Sequence, residues 1–105
     1  MPLARSEYLS PAWKDDLFKG KVVFCTGGNG TICSAQVRAM VLLGADACIV
    51  GRNEEKTTSM AKDISTARQG SKVLGLGKID VRNAASLQGA VDDCVEQLGS
   101  IDYLM

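Results

Sequence analysis

The sequence predicts an α/β fold in which parallel strands alternate with helices in the order βαβαβαβ, the arrangement of the N-terminal half of a doubly wound sheet. Two observations carry this. Short apolar runs begin at residues 22, 47, 73 and 101, and the stretches between them place their apolar side chains at helical spacing. The connections are short, and strands joined through helices in this way run parallel with right-handed crossovers. A third observation bounds the size: 105 residues, 46% of them hydrophobic, suffice for one small domain and no more.

The first run, Val22-Val23-Phe24-Cys25, has no polar side and closes at Gly27 and Gly28, which suits a strand buried on both faces. Residues 31–43 contain no glycine or proline and are rich in Ala, Met, Leu and Val. Ser34, Gln36 and Arg38 leave one narrow polar side and Gly44 supplies a stop, so a mostly buried helix is expected there. Ala47-Cys48-Ile49-Val50 reads as a second buried strand ending at Gly51. Asn53 is placed to cap the next helix, which carries Glu54 and Glu55 in its first turn and a stripe of Met60, Ala61, Ile64 and Ala67 before Gly70. Residues 73–79 read as a third strand loosened by Gly75 and Gly77, with Asp80 at its end. Leu87, Ala90, Val91, Cys94, Val95 and Leu98 make one helical stripe between Asn83 and Gly99. Residues 101–105 begin a fourth strand, expected beside the first with an apolar edge left open. A leader, residues 1–20, lies outside the pattern; its Tyr8, Trp13, Leu17 and Phe18 are expected to pack along the domain or a partner subunit.

Composition narrows the function. Twelve basic side chains balance twelve acidic ones, so no charge excess recruits nucleic acid or an anionic membrane surface, and a small ligand is the better expectation. No apolar stretch reaches the roughly eighteen residues of a membrane span, and the leader lacks the continuous apolar core of a secretory signal, which reads as a soluble intracellular chain. Cys25, Cys33, Cys48 and Cys94 form no CxxC pair and histidine is absent, so no metal site is expected and the thiols read as reduced packing groups.

The stretch CTGGNGTIC, residues 25–33, falls between the first strand and the first helix, the context that the dinucleotide fingerprint G-x-G-x-x-G requires. Here Gly28-Asn29-Gly30-Thr31-Ile32 leads to Cys33 where the last glycine would stand. Gly27, Gly28 and Gly30 permit a tight turn and close approach, and the amides of Gly30, Thr31 and Ile32 are expected to point out of a helix N-terminus toward a pyrophosphate. Cys33 is small enough to take over the packing of helix on strand. A glycine turn without a ligand is the other reading. The second strand ends about twenty residues beyond the loop, where the residue that reads the ribose is expected. An NAD site carries a carboxylate there, whereas this chain has Gly51 and then Arg52, whose planar donors suit a 2′-phosphate; NADP, as NADPH, is the expected cofactor. Otherwise Arg52 is a solvated loop charge.

These residues resemble the short-chain dehydrogenase/reductase family. Thr26-Gly27-x-x-x-Thr31-x-Cys33 aligns with the family's T-G-x-x-x-G-x-G loop, and Val50-Gly51-Arg52-Asn53 with the second-strand end of its NADP-using members. Asp80-Val81 matches the acidic position that reads the adenine amino group; a turn or helix-capping carboxylate is the other reading of Asp80. The resemblance implies a partial NADP-binding domain of Rossmann type over residues 21–105. It implies cofactor contacts at Gly27, Gly28, Asn29, Gly30, Thr31, Ile32, Arg52, Asn53, Asp80 and Val81. The sequence stops where that family next places an Asn-Ala-Gly segment, which suggests a truncated domain.

Within the family, LFKGKVVFCTGGNGTIC and LLGADACIVGRNEEKT look like the fungal peroxisomal 2,4-dienoyl-CoA reductase branch, whose glycine loop carries the same Thr and Cys. For a longer protein the resemblance implies an acyl-CoA substrate, NADPH-dependent reduction to a 3-enoyl-CoA in fatty-acid β-oxidation, a homo-oligomer and a peroxisomal location. The family's Tyr-x-x-x-Lys pair has no match: Ala12 stands four residues after Tyr8, and Tyr103 is too near the end. No catalytic residue is assigned, and the chain alone is expected to be inactive. Another acyl or carbonyl reductase of the family, or a nucleotide-binding module without catalysis, remain the alternatives.

Overall fold

In the computed structural model, which describes residues 4–105, the strands are β1 (Val22–Thr26), β2 (Asp46–Val50), β3 (Val73–Leu76) and β4 (Tyr103–Leu104). Between them lie α1 (Thr31–Leu42), α2 (Glu54–Ser65) and α3 (Ala84–Leu98). All strand pairs are parallel and the sheet runs β3-β2-β1-β4, the α/β doubly wound order in which the first strand sits centrally and the chain reverses direction across it.

Apolarity on both strand faces has the expected consequence. On one side Val23, Cys25, Ala47 and Ile49 pack under α1 and α2 through Val37, Val41, Ala61 and Ile64. On the other, Val22, Phe24, Cys48 and Val50 meet α3 through Ala90 and Cys94. Asn53 and Asn83 cap α2 and α3, accepting from the N–H groups of Lys56 and Ser86, and Gly99 closes α3 in the left-handed conformation at φ 93°.

Four details depart from the sequence reading. α1 is buried along one side and not for most of its surface: Ile32, Ala35 and Gln36 are exposed, whereas Ser34 and Arg38 are buried, the Arg38 guanidinium pairing with the carboxylate and the carbonyl oxygen of Asp63 on α2. α2 ends at Ser65, and in the turn that follows Arg68 donates to the carbonyls of Val41, Gly44 and Ala45, satisfying the open end of α1. β3 stops at Leu76 because Lys78, with φ 59°, turns the chain, and the N–H groups of Lys78 and Ile79 donate to the carbonyls of Arg52 and Gly51 beyond β2. β4 is only two residues long, although the N–H groups of Asp102 and Met105 reach the carbonyls of Val22 and Phe24.

The leader lies along the domain. Phe18 donates its N–H to the Leu43 carbonyl and sets its ring edge-on to Tyr103, with centroids 5.7 Å apart. The Tyr8 ring stands 6.0 Å from the Arg38 guanidinium, while Trp13 and Leu17 remain half-exposed. Residues 1–3 of the leader lie outside the described residues. β4 forms one edge of the sheet and β3 the other, with Leu104 of β4 75% exposed beside an apolar groove lined by Phe24, Leu87, Val91 and Ile101. No helix among the described residues is long and apolar enough to cross a membrane.

Candidate functional site

The register builds the site. Thr26 lies opposite Val50 and Val50 opposite Leu76, so the residues that follow all three strands, Gly27, Gly51 and Gly77, emerge at one end of the sheet. In open α/β sheets this end, where the strand order reverses, is where ligands bind.

The glycine loop is drawn tight onto the sheet. Gly27, at φ 66°, donates its N–H to the Val50 carbonyl. Gly28 is buried with no room for a side chain, since an added Cβ would overlap Ile49 of β2. The close-packing glycine is therefore Gly28, and Cys33 packs partly buried against the α1 side of the core. Gly30 is the N-cap of α1 without a side-chain cap, and its own N–H is taken by the Gly27 carbonyl at 3.0 Å. That corrects one expectation: the first-turn amides of Thr31 and Ile32 have no backbone acceptor among the described residues, but the Gly30 amide is committed to the turn. Both residues are exposed, Ile32 at 74%.

After β2 the chain has equally little freedom. A Cβ at Gly51 would come within 2.6 Å of Thr57 Oγ1 and 3.2 Å of Asn29 Oδ1. Thr57 is fully buried and its hydroxyl donates to the Asn53 carbonyl at 2.7 Å, while Asn53 Oδ1 accepts from Lys56 N–H at 2.9 Å. Between this turn and the glycine loop lies a cleft of about 350 Å³ lined by Gly27, Asn29, Val50, Gly51, Arg52, Asn53, Lys56, Ile79 and Val81. Among the described residues, Arg52 and Lys56 are its only charged lining residues. Lys56 and Ile79 were not singled out from sequence; the Asn53 cap, which fixes Lys56 as the third residue of α2, is the signal that could have found Lys56.

Asp80 is placed differently from its neighbours. Both carboxylate oxygens accept from the Arg82 guanidinium, at 3.1 and 3.2 Å, and Oδ1 also accepts the Arg82 N–H at 3.0 Å. These bonds, with weaker attraction from Arg52 at 3.7 Å, lower its pKa to about 2. Asp80 thus closes a turn on Arg82, and stands at the rim of the cleft through Arg52. Val81, half-exposed, lies in the lining.

All four cysteines are free. Burial, reinforced by Cys33, pushes the Cys25 thiol up to about 11, and burial raises Cys48 and Cys94 as well. Among the described residues no group of three or more His, Cys, Asp or Glu side chains converges as a metal site would need.

The sequence and fold that carry this glycine loop have counterparts among known proteins. The family model for short chain dehydrogenase matches residues 21–105. The chain belongs to the short-chain dehydrogenase family. Among this family's members it is 50% identical over 95 residues to the peroxisomal 2,4-dienoyl-CoA reductase of Saccharomyces cerevisiae, covering 90% of this chain and 32% of that protein. With the peroxisomal 2,4-dienoyl-CoA reductase of Mus musculus it shares 34% over 90 residues, covering 86% of this chain and 30% of that one. Solved structures of similar fold include a citronellol catabolism dehydrogenase of Pseudomonas aeruginosa, with TM-score 0.78, 27% identity, and coverage of 89% of this chain and 38% of that one. An NAD+-bound xylitol dehydrogenase gives TM-score 0.75 at 26% identity, with 84% and 33% covered. The chain spans about a third of the length of the curated relatives it matches.

Proposed function

We propose that this chain is the NADPH-binding part of an oxidoreductase that, in a longer protein, reduces 2,4-dienoyl-CoA to 3-enoyl-CoA in fatty-acid β-oxidation. The cofactor reading rests chiefly on one observation: the cleft beyond β2 is lined by cations, holds no carboxylate, and has no space at Gly51 for the carboxylate that an NAD site places there. A 2′-phosphate suits such a cleft and a bare ribose hydroxyl does not. Gly27, Gly28 and Asn29 shape the loop, the amides of Thr31 and Ile32 face the pyrophosphate, Arg52 holds the 2′-phosphate, Asn53 fixes the turn, and Asp80 with Val81 flanks the adenine. When bound, the nicotinamide supplies the reducing hydride.

The substrate reading leans on the yeast and mouse relatives, both dienoyl-CoA reductases named as peroxisomal. It carries a peroxisomal location, an acyl-CoA substrate and a homo-oligomeric state for the longer protein, with no nucleic acid or membrane partner. Another reductase of the family is the second reading, favoured by 34% identity over 86 residues to an uncharacterized oxidoreductase of Bacillus subtilis. Calorimetric titration tests the cofactor assignment. Arg52→Ala should weaken NADPH by about tenfold, the lower end for a charge-assisted hydrogen bond because Arg52 is 65% exposed, and leave NADH unchanged. Equal loss for both dinucleotides would remove the assignment. Mixed with NADPH and a dienoyl-CoA, the chain alone should oxidise no NADPH above the buffer rate, and turnover would show that the chemistry resides here.

A further inference from the structure

We infer that Lys56 is a second cation for the 2′-phosphate, so that the pair Arg52 and Lys56, and not Arg52 alone, sets the preference for NADP over NAD. This rests on the reading of the cleft as an NADP site and adds a residue to it.

Arg52 is only partly available. Its Nη2 lies 3.7 Å from Asp80 Oδ1, so the one cation expected from sequence is shared with a carboxylate that stays ionised. Lys56 has no ion-pair partner among the described residues. Of the two acids that precede it in α2, Glu55 forms no ion pair with it, and Glu54 is held by Lys78 at 3.2 Å on the side where the chain turns out of β3. The backbone of Lys56 is anchored by its N–H bond to Asn53 Oδ1, and its neighbour Thr57 is locked in the core by the bond to the Asn53 carbonyl. The Cα is therefore fixed on the cleft wall while the four-carbon stem stays free to close on a ligand.

Charge balance supplies the need for it. A phosphate monoester carries about 1.5 to 2 negative charges near pH 7, because its second pKa is about 6. One guanidinium shared with Asp80 leaves that charge under-compensated. Lys56 completes it as a mobile point charge beside the planar fork of Arg52, and contributes much less to a neutral ribose hydroxyl, which offers no charge to compensate.

The test uses the 105-residue chain and two probes that differ only in this group: adenosine 2′,5′-bisphosphate and adenosine 5′-monophosphate, titrated by calorimetry at low salt. Lys56→Ala should weaken the bisphosphate by about five- to tenfold, as expected for an exposed charge-assisted contact, and shift the monophosphate by less than about twofold. Lys56→Arg should restore most of the loss. Unchanged bisphosphate affinity in Lys56→Ala, or equal loss for both probes, would overturn the inference. Arg52→Ala separates the two levels. If it is selective against the bisphosphate while Lys56→Ala is not, the NADP reading stands and the role of Lys56 falls. If the unaltered chain does not favour the bisphosphate, or binds neither probe, both fall together.

Discussion

Gly51→Ala puts the tightness of the β2 turn to a quantitative test. The added methyl would lie 2.6 Å from Thr57 Oγ1, where ordinary contact begins at 3.4 Å, and 3.2 Å from Asn29 Oδ1. Thr57 cannot yield cheaply: it is fully buried, and swinging its hydroxyl away breaks the 2.7 Å bond to the Asn53 carbonyl. Over-packing of this kind costs about 1–3 kcal/mol, with about 1 kcal/mol more if the hydrogen bond is lost. Urea unfolding followed by circular dichroism measures the loss, and a double-mutant cycle assigns its cause. Thr57→Ala removes the obstructing oxygen, so Gly51→Ala should cost at least about 1 kcal/mol less in that background than in the native one. Additive losses would refute the contact as the reason for glycine. The same crowding should make Gly51→Asp, which would add the carboxylate of an NAD site, destabilise the turn and not create an NADH site.

Three further outcomes follow from the charges and thiols. The Asp80 pKa is lowered in the fold, so its contribution is complete above the ordinary carboxylate range and lost progressively as pH falls through that range to about 2; histidine is absent. Any decline in NADPH affinity below about pH 6 should therefore come from the cofactor's 2′-phosphate taking up its second proton, with NADH affinity flat in the same titration; a parallel decline for both would contradict this. Asp63→Ala strands the Arg38 guanidinium, whose side chain is 5% exposed, and should lower stability by about 2–3 kcal/mol in thermal unfolding, whereas an unchanged midpoint would show the pair to be idle. In a native-state thiol assay only Cys33, which is partly exposed, should react quickly, and rapid reaction of Cys25, Cys48 or Cys94 would contradict their burial.

The strands and helix caps were legible because their signals are local. Val22 to Phe24 and Ala47 to Val50 are apolar without alternation, and Asn53 and Asn83 precede their helices at the capping position. The glycine loop was legible in kind but not in division of labour: sequence shows three glycines, and only the fold shows Gly28 against Ile49 and the Gly30 amide spent inside the turn. What stayed hidden depends on partners far along the chain. Arg38 reads as a surface charge until Asp63 arrives beside it, β3 reads as longer until Lys78 and Ile79 bond back to Arg52 and Gly51, and Lys56 resembles any solvated lysine until the cleft forms.

The most direct measurement is the ratio of NADPH to NADH affinity for the unaltered chain, by calorimetry at pH 7 and low salt. The account predicts that NADPH binds at least about tenfold more tightly, with the advantage shrinking as salt is raised, since the difference is one phosphate held by exposed cations. Equal affinities, or tighter binding of NADH, would contradict it.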